Sequence, residues 1–184
     1  MRKLISGGGE VLSRTFIKKY LKIDFTDDDD LIDEMNKSAR LWAEKYTGRQ
    51  LISATWELYL DRFDDLIEVY PAPVSDVVSI KYYDTDGDLQ TLSEDNYVVD
   101  TVSEPARITL APDCTWPDTQ DRTNAVVIRY VSGWTDAGSV PRPIRQAIML
   151  TIAHLYENRQ AITKDVYHKL PMGADYLLDI YKVY

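Results

Sequence analysis

The chain has 184 residues, 45% hydrophobic and 28% charged, with a formal net charge of −9. That balance is a soluble globular one, with enough apolar side chains for one compact domain or a domain carrying an inserted subdomain. It excludes a membrane-spanning helix, since no apolar run approaches the roughly 20 residues required, and argues against a basic face that grips nucleic acid.

Cys114 is the only cysteine, so no internal disulfide forms, and with only His154 and His168 beside it a zinc site of nitrogen and sulfur ligands is hard to build. The opening MRKLISGGGEV is too short and too broken by glycine for a signal peptide, so the expectation is a cytosolic chain.

Residues 1–11 read as a flexible arm, because Gly7, Gly8 and Gly9 give the backbone little reason to settle. Ser13 then caps a short helix with Phe16, Ile17, Tyr20 and Leu21 on its apolar face and Arg14, Lys18, Lys19 and Lys22 opposite. A second helix starts at Thr26 as N-cap, with carboxylates 27–30 on the positive end of its dipole. Leu31, Met35, Ser38, Ala39, Trp42 and Tyr46 form one side of it, and Gly48 stops it. The Asp run invites a calcium reading, but the glycine and distal glutamate of an EF-hand are missing, so capping is preferred.

At Leu51 the period changes to two: Ile52, Ala54, Trp56, Leu58 and Leu60 alternate with Ser53, Thr55, Glu57, Tyr59 and Asp61. Further strands are predicted over 66–70, 77–83, 89–92, 97–99, 107–110 and 125–131. The DTDGD of 84–88 is a hairpin turn, because Asp-Gly tolerates positive φ and its glycine falls too early for a calcium loop. The stretch 111–124, with Pro112, Trp116 and Pro117, reads as a loop.

The most apolar helix follows Pro141 and Pro143, with Pro143 suited to its first position. Ile144, Ala147, Ile148, Thr151, Ile152 and Leu155 recur at helical steps, widened by Met149, Ala153 and Tyr156. Ile144, Ile148, Ile152 and Leu155 are therefore the predicted packing residues of a central helix. Polar Glu157, Asn158, Arg159 and Gln160 bring its end to water. After a loop over 163–173, a last helix over 174–181 carries Tyr176, Leu177, Ile180 and Tyr181 on one side.

The fold class is thus α+β: a small bundle of two N-terminal and two C-terminal helices (12–48 and 140–182) with an antiparallel β subdomain, 51–132, inserted within a single domain spanning 1–184. No catalytic signature occurs, whether GxSxG, P-loop, GxGxxG or HExxH. His154 and Glu157, three residues apart on a helix, allow an acid–base pair. A buried histidine with a hydrogen-bond partner explains the same residue. Tyr59, Tyr83, Tyr176, Tyr181 and Tyr184 are candidate interface aromatics or pack on their own sheet and helices.

Several phrases together resemble the head–tail connector (adaptor, head-completion) family of tailed bacteriophages and prophages. They are YLKIDFTDDDDLIDEMNKSARLWAEKYTGRQLISATWELYLDRF, YPAPVSDVVSIKYYDTDGDLQTL with NYVVD and ARITL, VPRPIRQAIMLTIAHLYENRQAI, and LPMG followed by DYLLDIY. The glycine-rich amino end departs from the proline-containing lead of that family. The resemblance implies a non-enzymatic subunit with no cofactor or metal. It would join a ring with copies of itself, dodecamer-like, beneath the portal protein at the head–tail junction of a virion, after a stay in the host cytoplasm. It implies a DNA channel passed without specific binding, no membrane, and a platform for the next head-completion or tail protein. It also implies portal docking by the carboxy-terminal segment, here Tyr176, Leu177, Ile180 and Tyr181. From other classes, a carbohydrate- or receptor-binding β module of a phage particle and an enzyme using His154 and Glu157 remain as alternatives.

Overall fold

The computed structural model describes residues 1–158 and 172–183. Arg159, Gln160, His168, Tyr184 and most of the loop expected over 163–173 lie outside the described residues. Among those described, the chain is α+β. In order it forms β1 (Arg2–Gly7), α1 (Arg14–Leu21), α2 (Asp29–Thr47), β2 (Ala54–Leu60), β3 (Leu66–Val69), β4 (Val74–Tyr83) and β5 (Leu89–Thr91). Then come β6 (Tyr97–Asp100), β7 (Ala106–Leu110), β8 (Val126–Ser132), α3 (Arg142–Glu157) and α4 (Met172–Asp179). The chain divides into two compact units, a β unit of Met1–Gly8 with Ser53–Gly133 and a helical unit of Gly9–Ile52 with Trp134–Val183.

In the helical unit, α3 packs against α2 and α4, and α1 against α2. Ser13 caps α1, its Oγ accepting the Phe16 N–H at 3.2 Å. Thr26 does not cap α2. Its carbonyl accepts the Asp29 N–H at 3.1 Å in a turn ahead of the helix, and Asp28 takes the cap position without its side chain capping the helix N–H groups. Gly48, at φ 71, ends α2.

The buried residues of α2 are Ile32, Asn36, Ala39, Ala43 and Thr47, one position round from the predicted face. Ser38 is exposed and Leu31 half-buried, while Met35, Trp42 and Tyr46 flank the core. The rotation follows from Asn36, whose amide donates to the Leu12 carbonyl at 2.9 Å, and from two alanines small enough for close helix approach. α3 begins at Arg142, so Pro143 is its second residue and not its first. Ile144, Ile148 and Ile152 are fully buried and Leu155 half-buried; Tyr156 packs on the core and donates its hydroxyl to Asp28 at 2.6 Å.

The β unit holds an antiparallel sheet of order β1-β2-β8-β4-β5 and a second of order β3-β7-β6. Val69, Ile80, Ala106, Ile108, Val126, Ile128 and Tyr130 form its core. The Tyr130 and Ser132 hydroxyls donate to the Tyr70 and Pro71 carbonyls, and Tyr70–Pro71 and Ala72–Pro73 are cis. At the 84–88 turn, Gly87 has φ 91 and Asp84 accepts the N–H of Asp86 and Asp88 at 3.1 and 2.9 Å. The loop thus satisfies its own carboxylate, and those bonds, with one from Gln90, hold Asp84 below the usual carboxylate range.

The expected flexible arm is corrected. Arg2–Gly7 is a strand paired antiparallel with β2, and of that stretch Met1 and residues 8–11 lie outside it. Gly7 is required there: at φ +90, an added Cβ would meet Ala54 Cα and the Ser53 carbonyl oxygen at 2.9 Å. All six residues of β1 are exposed, so no buried face betrays the strand in the sequence.

Burial separates the residues of α3. Ile148→Ala is expected to cost about 3 kcal/mol and Leu155→Ala roughly half that, read from urea unfolding midpoints; equal losses would contradict the packing described.

Candidate interaction surfaces

The expected last helix ends at Asp179, so Ile180 and Tyr181 stand in the turn after α4, and the four carboxy-terminal candidates fall into two pairs. Leu177 and Tyr181 pack on the helical core, whereas Tyr176 and Ile180 are 71% and 70% exposed, one turn apart. The segment is pinned by polar contacts. Tyr46 donates its hydroxyl to Asp179 at 2.6 Å, Arg49 Nε donates to the Tyr181 carbonyl at 2.5 Å, and the Val183 N–H reaches the Thr47 carbonyl at 2.8 Å. Tyr176 and Ile180 are therefore displayed on a segment tied to α2 and the residues after it by polar contacts.

Sequence reasoning missed a second exposed patch. Only Ile17 of α1 is buried, with Leu21 half-buried, so Phe16 and Tyr20 face outward at 55% and 45% exposure. The signal lay in two interleaved four-residue pairs, Ile17/Leu21 and Phe16/Tyr20, of which one helix can bury only one fully. On the same helix, Lys18 Nζ contacts Asp29 at 2.6 Å and the Phe25 carbonyl at 2.5 Å, and Arg14 bridges Asp29 and Asp33. Asp29, one of the aspartates read as caps, is thus also a counter-ion. The Lys18 bond and then Arg14 hold Asp29 below its ordinary value, and Asp33 and Asp29 raise Arg14.

On the sheet, Glu57 is 8% exposed despite its place on the expected water face of β2. Arg129 donates to it through Nη2 at 2.6 Å and Nε at 3.0 Å, and Tyr59 donates its hydroxyl. Tyr59 is consequently half-buried. Tyr83 is half-buried too, with the Arg122 guanidinium 4.0 Å above its ring. Of interface display and packing on their own sheet, both tyrosines fit the second.

The candidate acid–base pair is not assembled. Asn158 Nδ2 lies 3.3 Å from His154 Nδ1, while Glu157 is exposed. Among the described residues no group of three or more His, Cys, Asp or Glu is placed to hold a metal ion, and no helix is long and apolar enough to cross a membrane.

Among the described residues, a helical unit of four α-helices joined in one chain to two antiparallel sheets defines the fold class, and solved structures share it over nearly their whole length. A chain in the neck of an empty gene transfer agent (GTA) particle, computed with C6 symmetry, is 20% identical at TM-score 0.81; the match covers 100% of this chain and 96% of that one. A chain of the virion of the native GTA particle gives the same values. One in the neck of the native particle, computed with C12 symmetry, gives TM-score 0.72 at 20% identity and the same coverage. No family model matches the sequence, and no curated protein matches it significantly.

The Tyr59 hydrogen bond, and then Arg129, outweigh desolvation and hold the Glu57 carboxyl below its ordinary value of 4.5. A depressed carboxylate contributes stability above its unfolded pKa and loses it as pH falls through the folded one. Urea midpoints measured from about pH 6 down to about pH 3 should decline less steeply for Glu57→Gln than for wild type; parallel declines would remove Glu57 from the linkage.

Proposed function

We propose that this chain is a structural connector subunit of a tailed-phage-like particle. It acts by assembly and not by catalysis, without cofactor. It forms a ring with copies of itself beneath the portal at the head–tail junction, extends the DNA channel, and offers a platform to the next head-completion or tail protein. The carrying observation is the whole-length likeness of fold to chains from GTA particle necks of sixfold and twelvefold symmetry. The resemblance read in the sequence points the same way. A net charge of −9 suits a channel wall that lets DNA pass without holding it.

Within this reading, Tyr176 and Ile180 are the portal-docking side chains, and Leu177 and Tyr181 position them. Exposed aromatic and aliphatic residues on an anchored segment are the kind that dominate an interface. The glycan-binding alternative relied on open aromatic faces, and Tyr59 and Tyr83 are covered by Glu57 and Arg122 partners.

The test is native mass and negative-stain imaging of the purified chain over a concentration series, alone and with portal. A closed ring in either condition is expected. Tyr176→Asp with Ile180→Asp should leave folding intact and weaken portal capture by about tenfold or more. Undiminished capture would end the docking assignment, and a chain that stays monomeric even with portal would end the connector reading.

A further inference from the structure

The larger sheet has two unlike edges. On one side lies β1; on the other, β5 pairs only with residues 81–83 of β4, through Lys81–Thr91, Tyr82–Gln90 and Tyr83–Leu89. Before those residues the outer side of β4 has no further strand paired to it in that sheet among the described residues. The Ile80 carbonyl there accepts the Leu92 N–H at 2.8 Å, and residues 76–78 face Glu94, Tyr97, Val99 and Thr101 across a cleft. Rows across the sheet show where this open stretch falls. One row runs Lys3, Glu57, Arg129, Ser79, and another Gly7, Ala54, Ser132, Val74. β1 and the open half of β4 therefore occupy the same rows at opposite edges.

Their directions are also compatible. Three successive antiparallel pairings separate β1 from β4, so the two strands run in opposite senses. A second copy translated along the sheet brings its β1 antiparallel to the first copy's β4 without turning over.

The side chains complement each other. Beside the open stretch is a cleft of about 360 Å³ lined by Asp76, Val77, Val78, Glu94, Tyr97 and Val99. Burial, then the charges of Glu94 and Asp76, push the Tyr97 phenol up, so both carboxylates act on this cleft. No salt bridge holds Asp76 or Glu94 among the described residues. β1 carries Arg2 and Lys3, with Leu4 and Ile5 48% and 39% exposed, and Val78 at the cleft is 46% exposed. A basic, partly apolar edge meets an acidic, partly apolar one.

We propose that β1 of one copy adds to the open side of β4 in the next copy, so that the sheet continues from subunit to subunit. The inference rests on the ring reading above and names the faces that make the ring. Main-chain hydrogen bonds supply affinity, as in other strand additions. The shared rows set Lys3 beside Ser79 and Ser6 beside Asp76. Arg2 and Lys3 therefore act on the acidic cleft of Asp76 and Glu94 as a neighbouring basic end that biases the choice of partner. The contact is heterologous, the type that generates a ring when its rotation closes. Register shifts in β1 (between Leu4 and Ser6) and in β4, together with Lys3, discourage indiscriminate edge pairing.

The test uses the full chain and a charge exchange. Arg2→Glu with Lys3→Glu, and separately Asp76→Lys with Glu94→Lys, should each weaken self-association by at least about tenfold in sedimentation velocity. Combining all four changes in one chain should restore it. Carbodiimide coupling of mixed ¹⁴N and ¹⁵N populations should join Lys3 of one copy to Asp76 or Glu94 of another, giving mixed-isotope peptides. Circular dichroism checks that each variant folds.

Rings that form equally well from both charge variants, without mixed-isotope coupling, would overturn the strand contact and leave the connector reading standing. A wild-type chain that never assembles, alone or with portal, would overturn both. If Asp76→Lys with Glu94→Lys abolished capture of a different neck protein while self-association persisted, the occupant would be that protein's strand, and the inference would fail.

Discussion

The burial of α3 against α2 is the contact on which the helical unit depends. Ile144, Ile148 and Ile152 are removed from water, each a side chain whose burial stabilises by about 2 kcal/mol. Ala39 and Ala43 on α2 keep the facing surface small enough for close approach. Polar residues admitted to this core are bonded within it: Thr151 donates to the Ala147 carbonyl at 2.9 Å and Thr47 to the Ala43 carbonyl at 2.7 Å. Because the core holds α2 and α3 together, α4 has a base on which Ala174 and Leu178 bury while Tyr176 and Ile180 stay outside. Display of those two side chains is a by-product of packing the other face.

The acidic composition is organised by a few cations. Arg14 and Lys18 take up Asp29 and Asp33, Arg40 bridges Glu10 and Glu44, and Arg129 takes Glu57. Glu44 shows the opposing force, since burial pushes its carboxyl up while the Leu51 N–H and Arg40 pull it down. Of these pairs the one exposed on both sides, Arg14 with Asp33, adds little stability by itself. Their effect is on geometry: they fix which side chains remain free at the surface. Asp76 and Glu94 form no salt bridge among the described residues, and their charges, with Lys3, remain available at the sheet edges.

Element type was largely legible in the sequence because two periods separate cleanly. The period-two run from Ala54 to Leu60 is β2, and the three- and four-residue spacing after Pro143 is α3. The DTDGD turn was legible because its chemistry is local, with Asp84, Gly87 and Asp88 closing within five residues. The failures at β1, at Glu57 and over the face of α2 share one cause, which is long-range pairing. β1 has no buried face, so nothing in residues 2–7 distinguishes a strand from an arm until β2 lies beside it. Glu57 alternates as a water-facing residue, yet Arg129, 72 positions away, covers it. The one-position turn of α2 was equally hidden, since Leu31 and Ile32 are both apolar and only Leu12 decides which faces inward.

The carboxy-terminal candidates mark the boundary between the two kinds of knowledge. Their grouping in one short segment follows from spacing alone. Which of them is open to a partner was decided by the helical core, because Leu177 and Tyr181 were drawn onto it and Tyr176 and Ile180 were not. By itself the sequence determined what is local: helix and strand periods, the caps at Ser13 and Gly48, the hairpin turn, and the acidic balance. Tertiary structure alone decided which edge of the sheet is open, which carboxylates are neutralised and which aromatics are covered. Those depend on residues brought together from distant parts of the chain, and burial and charge pairing act through space without regard to sequence separation.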